Sequence, residues 1–333
     1  MKHYTIPLFI PEFACPHQCV FCNQRKISGH QKSPSLIEVK KIIEEHLATI
    51  PKKDSHIEIG FFGGNFTGIE KQEQENYLKV VQPYFEKGIV KGIRLSTRPD
   101  YINQEILNLL KRHKVSTIEL GAQSMDEDVL LKSGRGHTAY DVEDASKIIR
   151  ENGFSLGLQM MIGLSGDSLE KSINTAKKII ELKADNTRIY PTLVIRGTRL
   201  EELYNEGLYK ALSVDEAVKW SKELFLIFEK ANVNIIRTGL HPSEGILGDD
   251  LIAGPFHPSF KELVLTEIWN DLFKERFKTV SENKLIIRVS PSQLNYAIGY
   301  KRKNKLYLQK LFNKVEFKTD SSLGGRKLII EKN

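Results

Sequence analysis

Residues Tyr4–Gln24, YTIPLFIPEFACPHQCVFCNQ, join a short apolar run to three closely spaced cysteines. Cys15, Cys19 and Cys22 are the three cysteines of the 333-residue chain, and they follow the spacing C-x3-C-x2-C. The apolar run is typical of a strand, so the cysteines lie on the loop that follows it. Three neighbouring thiols indicate a disulfide with one spare thiol, a zinc site, a catalytic thiol or an iron–sulfur cluster.

The surroundings of the cysteines argue against two of these interpretations. The N-terminus lacks the cleavage site of a signal peptide, and no apolar run is long enough to span a membrane, so we expect a cytoplasmic protein with reduced thiols. Structural zinc needs four ligands, and His17, inside the loop itself, is badly placed to be the fourth. Zinc stays open as the less favoured alternative.

Strand-like and helix-like segments alternate outward from this stretch. The six predicted strands are Tyr4–Ile10, His56–Phe62, Gly92–Thr97, Ser116–Gly121, Ser155–Ile162 and Thr187–Tyr190. The segments between them place apolar residues at helical spacing, and Ser33 and Pro34 are predicted to begin the first helix. Repeated βα units predict a parallel sheet with the cysteine loop at the carboxyl end of its strands, where α/β barrels hold their active sites.

The cysteine spacing, with Phe21 before the last cysteine, resembles the signature of radical S-adenosylmethionine (SAM) enzymes. The resemblance implies that Cys15, Cys19 and Cys22 bind three irons of a 4Fe-4S cluster, and that SAM binds the fourth iron. It also implies an α/β fold, a partial (β/α)6 TIM-like barrel. The implied reaction is the reductive cleavage of SAM to a 5′-deoxyadenosyl radical, with the protein orienting the cofactors.

Further motifs resemble the radical SAM half of the Elongator catalytic subunit, a tRNA-modifying family. They are STRPDYI, IELGAQSMDEDVL, GRGHT and RIYPTLVIRGTRLEELY, within residues 13–210. Tyr190, Arg196 and Thr198, in the last motif, either contact a ligand or serve only the packing; Arg196 could instead pair with Glu201. We do not expect the acetyltransferase domain of that family, because about seventy residues follow residue 263 and such a domain needs ~100–150.

The resemblance also assigns a SAM site to the ends of several strands. The expected SAM-binding residues are Gly63, Gly64, Asn65, Thr67, Ser96, Gln123, Arg135 and Gln159. The two glycines let the backbone approach the amino group of SAM, because no side chain intervenes. Gln123 and Arg135 are expected at its ribose and its carboxylate. Ser96 stands where relatives usually carry Glu, a ribose ligand, so the ribose contact is expected to be weaker or supplied elsewhere. Gln159 stands where relatives often carry Asp or His.

Positive charge is concentrated at the C-terminus. The net charge is +7, and residues 284–333 contain 12 Lys and Arg against three acidic residues. We predict a radical SAM core with a capping extension at 1–263 and a basic α+β module at 264–333. The module is predicted to have strands at Lys284–Val289, Val315–Lys318 and Lys327–Glu331, with a helix or helix pair over Pro291–Phe312.

Cations and aromatic residues alternate in this module. Lys301, Arg302, Lys303 and Lys305 lie among three tyrosines, a composition that suits phosphate contact and base stacking. A solvated lysine-rich surface is the alternative interpretation. His241 and His257, in two His-Pro-Ser triplets, are candidates for the substrate entrance, and loop hydrogen bonding is their alternative role; Ser259 is the predicted N-cap of the helix that follows.

The sequence thus predicts a radical SAM enzyme that acts on an RNA, with tRNA as the candidate substrate. The expected reductant is an electron donor such as flavodoxin or ferredoxin. One alternative is a radical SAM enzyme that acts on a small molecule or peptide, as in the coproporphyrinogen-oxidase-like branch. Another is a non-catalytic protein that holds a cluster and serves as a binder or chaperone.

Overall fold

The computed structural model describes residues 2–10, 18–23, 26, 32–51, 53–242, 244–279 and 281–332. Seven parallel strands form one sheet that curls into a half-barrel, in the order β1-β2-β3-β4-β5-β6-β8. The strands are β1 (Lys2–Ile10), β2 (Ser55–Gly63), β3 (Gly92–Thr97), β4 (Val115–Gln123), β5 (Ser155–Ile162), β6 (Asn186–Pro191) and, after the short β7 (Val194–Ile195), β8 (Asn234–Thr238). The predicted partial α/β barrel is confirmed.

Helices connect successive strands, as parallel pairing requires. They are α1 (Leu36–Thr49), α2 (Lys71–Glu86), α3 (Gln104–Arg112), α4 (Glu127–Lys132), α5 (Ala139–Glu151), α6 (Leu169–Glu181), α7 (Arg199–Asn205), α8 (Val214–Lys230), the short α9 (Glu244–Leu247) and α10 (Phe260–Arg276). The short strand β9 (Leu251–Ala253) pairs with β7 in antiparallel orientation. Among the described residues, no helix has both the length and the apolarity needed to cross a membrane.

The two faces of the sheet differ in chemistry. Ile6, Leu8 and Ile10 of β1 are buried in the core between sheet and helices. The opposite, concave face carries charged side chains, among them Arg94 of β3 and Glu119 of β4, whose side chains form an ion pair. Alternating residues of a strand point to opposite faces, so the same strands contribute both to the apolar core and to the concave face.

Two features differ from the sequence-based expectation. Strand β8 was not predicted, because only Thr238 of its five residues is buried and its apolar signal is weak. Helix α1 begins at Leu36 and is capped by Ser35, not by Ser33. Ser35 forms a reciprocal capping box with Glu38, which satisfies more backbone donors than a proline at the first helical position would.

A small α+β module follows the half-barrel. Its strand β10 (Ser281–Val289) is parallel to β11 (Phe312–Thr319) and antiparallel to β12 (Leu328–Lys332). Helices α11 (Leu294–Ile298) and α12 (Lys303–Leu308) lie between β10 and β11 in sequence.

Helix α10 is shared by the half-barrel and the module. Its residues Val264 and Ile268 belong to the core of the half-barrel, whereas Trp269 and Phe273 belong to that of the module. The predicted boundary after residue 263 therefore falls within a continuous helix, and the division into 1–263 and 264–333 stays a prediction.

Candidate active site

The described part of the cysteine loop is fastened to two helices. Cys15 lies outside the described residues, while Cys19 is buried and Cys22 is half-buried. Between them, the Val20 N–H donates to the carbonyl of Ser133 at 3.0 Å, and the Leu200 N–H donates to the carbonyl of Val20 at 2.7 Å. The end of α4 and the start of α7 thus fix the position of two of the predicted cluster ligands.

Arg135 connects this loop to the carboxyl end of β4. Its Nη1 donates to the Cys19 Sγ at 3.3 Å, and its Nη2 donates to the carbonyl of Gly121 at 2.7 Å. Its Nε is buried and has no partner among the described residues. A guanidinium donor stabilises negative charge on the sulfur more than a neutral donor would.

Two glutamine side chains lie at the same end of the sheet. The Gln159 Nε2 donates to the Gln123 Oε1 at 3.2 Å. Gln123 has a φ of 64°, which is unusual for a residue with a side chain, and the β4–β5 register shifts before it. Such strain costs about 1–3 kcal/mol and is concentrated at functional sites. A Cβ on Gly121 would lie 3.0 Å from the Gln123 amide and 3.4 Å from the Arg135 guanidinium.

The glycine turn at the end of β2 packs against β1. Gly63 has a φ of +123°, and a Cβ there would lie 2.0 Å from the carbonyl oxygen of Ile10. The Gly64 N–H donates to the same oxygen at 3.1 Å. The packing of the two strands is therefore sufficient reason for Gly63, and the role of both glycines toward SAM stays a prediction.

Asn65 and Thr67 form a buried network with Thr97, at the end of β3. The Thr97 hydroxyl donates to the Asn65 Oδ1 at 2.6 Å, and the hydroxyls of Thr67 and Thr97 are 2.5 Å apart. Because these polar atoms bind each other, they fasten the glycine turn to β3. The sequence did not point to Thr97, and the predicted contacts of Asn65 and Thr67 with SAM remain untested.

Charged residues form a row across the concave face below this network. Ser96 is half-buried and pairs with Glu119 in the β3–β4 register. Glu119 accepts from Arg94 at 2.9 Å and from the Arg188 Nε at 2.5 Å. Burial acts to lower the pKa of Arg188, but the charges of Tyr190 and Glu119, and their hydrogen bonds, outweigh it and raise that pKa.

The residues of the Elongator-like motif have structural partners. The Tyr190 hydroxyl accepts from Arg188 at 3.3 Å. Thr198 caps α7, and its hydroxyl donates to the carbonyl of Ile195 at 2.7 Å. The Arg196 guanidinium donates to the carbonyl of Asp249 at 2.9 Å, so the suggested pairing with Glu201 is wrong. The Glu201 carboxylate accepts from the backbone of Gly197 instead.

His137 is a buried group that the sequence did not single out. Its Nε2 donates to the carbonyl of Ala122 at 3.3 Å, and its Nδ1 is buried without a partner among the described residues. Burial, followed by the positive charges of Arg135 and Arg98, lowers its pKa to about 3. His137 is therefore a neutral imidazole with an unprotonated Nδ1. Its position in GRGHT was the available signal.

The two candidate histidines lie beyond β8. His241 is exposed. The His257 Nδ1 accepts from the Ser259 N–H at 3.0 Å, and the ring packs edge-on against Tyr300 at 5.1 Å. Ser259 precedes α10 as predicted, but its side chain makes no capping hydrogen bond. His257 thus takes the loop-bonding role that was the alternative for it.

The four cations of the basic segment, residues 301–305, differ in exposure and in ion pairing. Lys301 and Arg302 are exposed, and the Lys301 Nζ lies 5.6 Å from the centre of the Tyr300 ring. Lys303 forms an ion pair with Glu267, and Lys305 is half-buried. Within the described part of the chain, Lys301 and Arg302 are therefore the cations of this segment most available to a partner.

The residues at this end of the sheet fit a cluster with SAM. Thiolates are the usual ligands of iron–sulfur clusters, and Cys19 and Cys22 lie three residues apart on a fixed loop. Arg135, whose buried Nε has no partner in the described part of the chain, and the strained Gln123 supply donors beside Cys19 for a polar, partly anionic ligand. The absence of a side chain at Gly121 lets both side chains lie close to the strand.

The radical SAM superfamily model matches residues 10–179, just over half of the chain. The model of the Radical_SAM C-terminal domain matches residues 184–270.

Several curated proteins are similar in sequence. An uncharacterised protein of Methanocaldococcus jannaschii is 30% identical over 228 residues, which are 65% of this chain and 69% of that protein. Elongator complex protein 3 of Saccharomyces cerevisiae is 30% identical over 52% of this chain, but over only 35% of its own length. A tRNA uridine(34) acetyltransferase of M. jannaschii is 33% identical over 62% of this chain and 45% of its own length.

Solved structures show the same fold. Elp3 of Methanocaldococcus infernus superposes with a TM-score of 0.62 at 20% identity, over 82% of this chain and 63% of that chain. SuiB of Streptococcus suis, bound to S-adenosylmethionine, gives a TM-score of 0.52 at 14% identity, over 73% of this chain and 51% of that chain. With the superfamily model matched over its cysteine motif and its parallel sheet, the chain belongs to the radical SAM superfamily, whose enzymes bind a 4Fe-4S cluster and SAM.

Proposed function

We propose that this chain is a radical SAM enzyme that modifies an RNA, with tRNA as its substrate. The observation that carries the proposal is the link from Arg135 to Cys19 and to Gly121, which joins the cysteine loop to the end of the sheet. The tRNA assignment is supported by the matched relative that is named a tRNA uridine(34) acetyltransferase. Acetyl transfer is not part of the proposal.

The proposed roles of the residues follow from their positions. Cys15, Cys19 and Cys22 hold the cluster, and Arg135 keeps Cys19 in place while its Nε is available to the SAM carboxylate. Gln123 and Gln159 donate and accept at the ribose. The glycine turn, fastened by Asn65 and Thr67, gives the amino group of SAM a fixed backbone surface. When bound and reduced, the cluster and SAM supply a 5′-deoxyadenosyl radical for hydrogen abstraction.

The concave face and the basic module are the proposed substrate-binding surfaces. The paired charges of Glu58, Arg94, Glu119 and Arg188 hold the floor of the half-barrel rigid, since each cation has a fixed partner. Lys301 and Arg302 contact phosphates of the RNA outside it. An electron donor such as flavodoxin or ferredoxin reduces the cluster.

SAM cleavage in the presence of different RNAs tests this function. The cluster is reconstituted anaerobically, dithionite and SAM are added, and 5′-deoxyadenosine is quantified with intact bulk tRNA, nuclease-digested tRNA or neither. We expect intact tRNA alone to stimulate cleavage. Cleavage that is indifferent to RNA would contradict the tRNA assignment and favour a small-molecule or peptide substrate. No cleavage by a fully reconstituted protein would favour the non-catalytic binder.

A further inference from the structure

A cavity of about 350 Å³ lies between β8 and the first turn of α10. Arg237, His241, Lys261 and Tyr296 line it, with Glu262 also among its lining residues. Since β8 is the last strand of the curled sheet, the cavity lies at the edge of the half-barrel away from β1. None of its lining residues belongs to the predicted SAM site.

Arg237, which lines the cavity, lies beside a residue of the concave face. Arg237 pairs with Arg188 in the β6–β8 register, and neighbouring residues of paired strands point to the same face of a sheet. Arg188 belongs to the charged row on that face. A substrate that binds in the half-barrel could therefore place one of its groups beside Arg237.

Among the described residues, the two cations of the cavity, unlike those of the concave face, form no ion pair with a carboxylate. Arg94 and Arg188 are paired with carboxylates, whereas neither Arg237 nor Lys261 forms an ion pair within the described part of the chain. Burial, followed by the charge of Arg237, lowers the pKa of Lys261. Glu262 is exposed and pairs with neither. Two like charges held together cost stability, unless a ligand brings negative charge.

The first turn of α10 adds to the positive potential. Residues Ser259–Glu262 line the cavity, and the helix that begins at Phe260 is 17 residues long. The N-terminus of a helix carries a partial positive charge and backbone donors that suit phosphate. The Ser259 side chain does not cap these donors, and of them the Phe260 N–H donates to the carbonyl of His257 at 3.0 Å.

We propose that this cavity binds a phosphate group of the substrate, through Arg237, Lys261 and the first turn of α10. The proposal deepens the proposed function and rests on it for the identity of the substrate. Tyr296 lines the cavity, and Tyr300, four residues later, lies beside Lys301 and contacts His257. The cavity and the basic segment thus form one surface, along which an RNA backbone places successive phosphates. A small phosphorylated substrate would present the same chemistry.

Thermal unfolding with inorganic phosphate tests the cavity without SAM cleavage. The cluster-loaded wild type is compared with Lys261→Gln, Arg237→Gln, the charge-retaining Lys261→Arg and the control Lys40→Gln, an exposed lysine of α1. At equal ionic strength, we expect phosphate to raise the Tm of wild type, Lys261→Arg and the control by about 3 °C, and that of the two Gln variants by less than half as much. Without phosphate, Lys261→Gln should be as stable as wild type or more so, because the repulsion is relieved.

An equal phosphate effect in all variants, or none in any, would overturn the proposal. Two independent Gln variants keep the test valid if one of them fails to fold. The unfolding experiment does not measure SAM cleavage. A negative phosphate result would therefore not contradict tRNA-dependent cleavage, and a negative cleavage result would not contradict phosphate binding in the cavity.

Binding of tRNA across a range of salt concentrations identifies the source of the phosphate. If the RNA backbone supplies it, Lys261→Gln should weaken tRNA binding about tenfold and reduce the slope of log K against log salt by about one. If tRNA binding is unchanged while the phosphate stabilisation is lost, the phosphate belongs to a small phosphorylated substrate.

Discussion

Arg135 contacts Cys19, a residue 116 positions earlier in the sequence. Its guanidinium reaches the sulfur with one nitrogen and the carbonyl of Gly121 with another. The flat fork of arginine allows these two contacts at once, which the single ammonium of lysine does not. Arg135 is thus a positioning residue for the loop and a donor toward the proposed SAM carboxylate.

Arg135→Lys should lower the rate of SAM cleavage about ten- to a hundredfold, as the loss of supporting contacts does at metal sites. The charge is kept, so the loss reports the lost geometry. We also expect the electron paramagnetic resonance spectrum of the reduced cluster to change, because a ligand sulfur loses a hydrogen bond. Arg150→Lys, on α5, is the matched control. A variant with an unchanged rate and spectrum would show that the contact with Cys19 is dispensable.

His137 should make the protein sensitive to acid. Its pKa is lowered from 6.5 to about 3 in the folded protein, so below pH 6.5 the unfolded chain binds a proton that the folded protein does not. The resulting stability is complete above pH 6.5 and is lost as the pH falls toward 3. Between pH 7.5 and 5, wild type should lose about 2 kcal/mol more unfolding free energy than His137→Asn in urea titrations. An equal loss in both proteins would contradict this.

Local sequence patterns could predict some residues of the site but not others. The cysteines and the glycine turn have short spacings that carry chemical meaning. Thr97 has none, and His137 is marked only by its place in GRGHT, because their roles depend on contacts across the fold: Thr97 binds Asn65, 32 positions away, and His137 reaches Ala122 from the next loop. The same limit applies to Thr198, whose role as a helix cap also depends on the fold.

At the scale of elements, β1 and β2 approach each other closely where Gly63 ends β2. A methyl group there would overlap the carbonyl oxygen of Ile10, at 2.0 Å. Gly63→Ala should therefore cost about 4 kcal/mol or more, since backbone has to move. Gly153→Ala is the control: its φ is +83°, but nothing lies within 4 Å of the added carbon, so only about 1 kcal/mol is expected. Equal losses of Tm in the two variants would show that the contact with β1 is unimportant.

The charged row on the concave face depends on Glu119, which pairs with Arg94 and Arg188. Glu119→Gln leaves two buried guanidinium groups with less counter-charge, and removing one partner of a buried ion pair costs about 3–5 kcal/mol. We expect the Tm to fall by about 5 °C. Glu316→Gln is the control, because Glu316 also pairs with two cations but lies at the surface of the module. This variant should change the Tm far less. An equally small change of Tm for Glu119→Gln would mean that water screens the ion pairs of the charged row.

The predictability of the elements follows from their burial. Strands β1–β6 were predicted because their apolar residues are buried against helices, while β8 is half-exposed and gives little pattern. The region predicted as a helix or helix pair over 291–312 is interrupted at Gly299, whose φ is +86°, and a Cβ there would lie 2.9 Å from the backbone nitrogen of Asn304. Gly299 and Asn304 are five positions apart and come this close only because the chain turns between them. Helical periodicity in the sequence therefore does not show where the helix is interrupted.

At the scale of the whole molecule, charge is separated between the inside and one end. The cations inside the half-barrel are mostly neutralised by carboxylates, whereas Lys301 and Arg302 of the module are exposed and form no ion pair within the described residues. The module shares α10 with the half-barrel, and both cores pack on that helix. An RNA held by the module would therefore be held in a defined position relative to the half-barrel.

Charge reversal at the module tests this arrangement in the intact 333-residue chain. The double variant Lys301→Glu with Arg302→Glu should weaken tRNA binding at least tenfold and reduce the salt slope by about two, since about one counterion is released for each phosphate contact. Lys40→Glu with Lys41→Glu makes the same change of charge on two adjacent residues of α1, on the side of the sheet edge that β1 forms. If the two double variants lose affinity equally, the effect comes from net charge, and the module is a solvated surface. If only the first loses affinity and tRNA-stimulated cleavage falls with it, the module positions the RNA for the reaction.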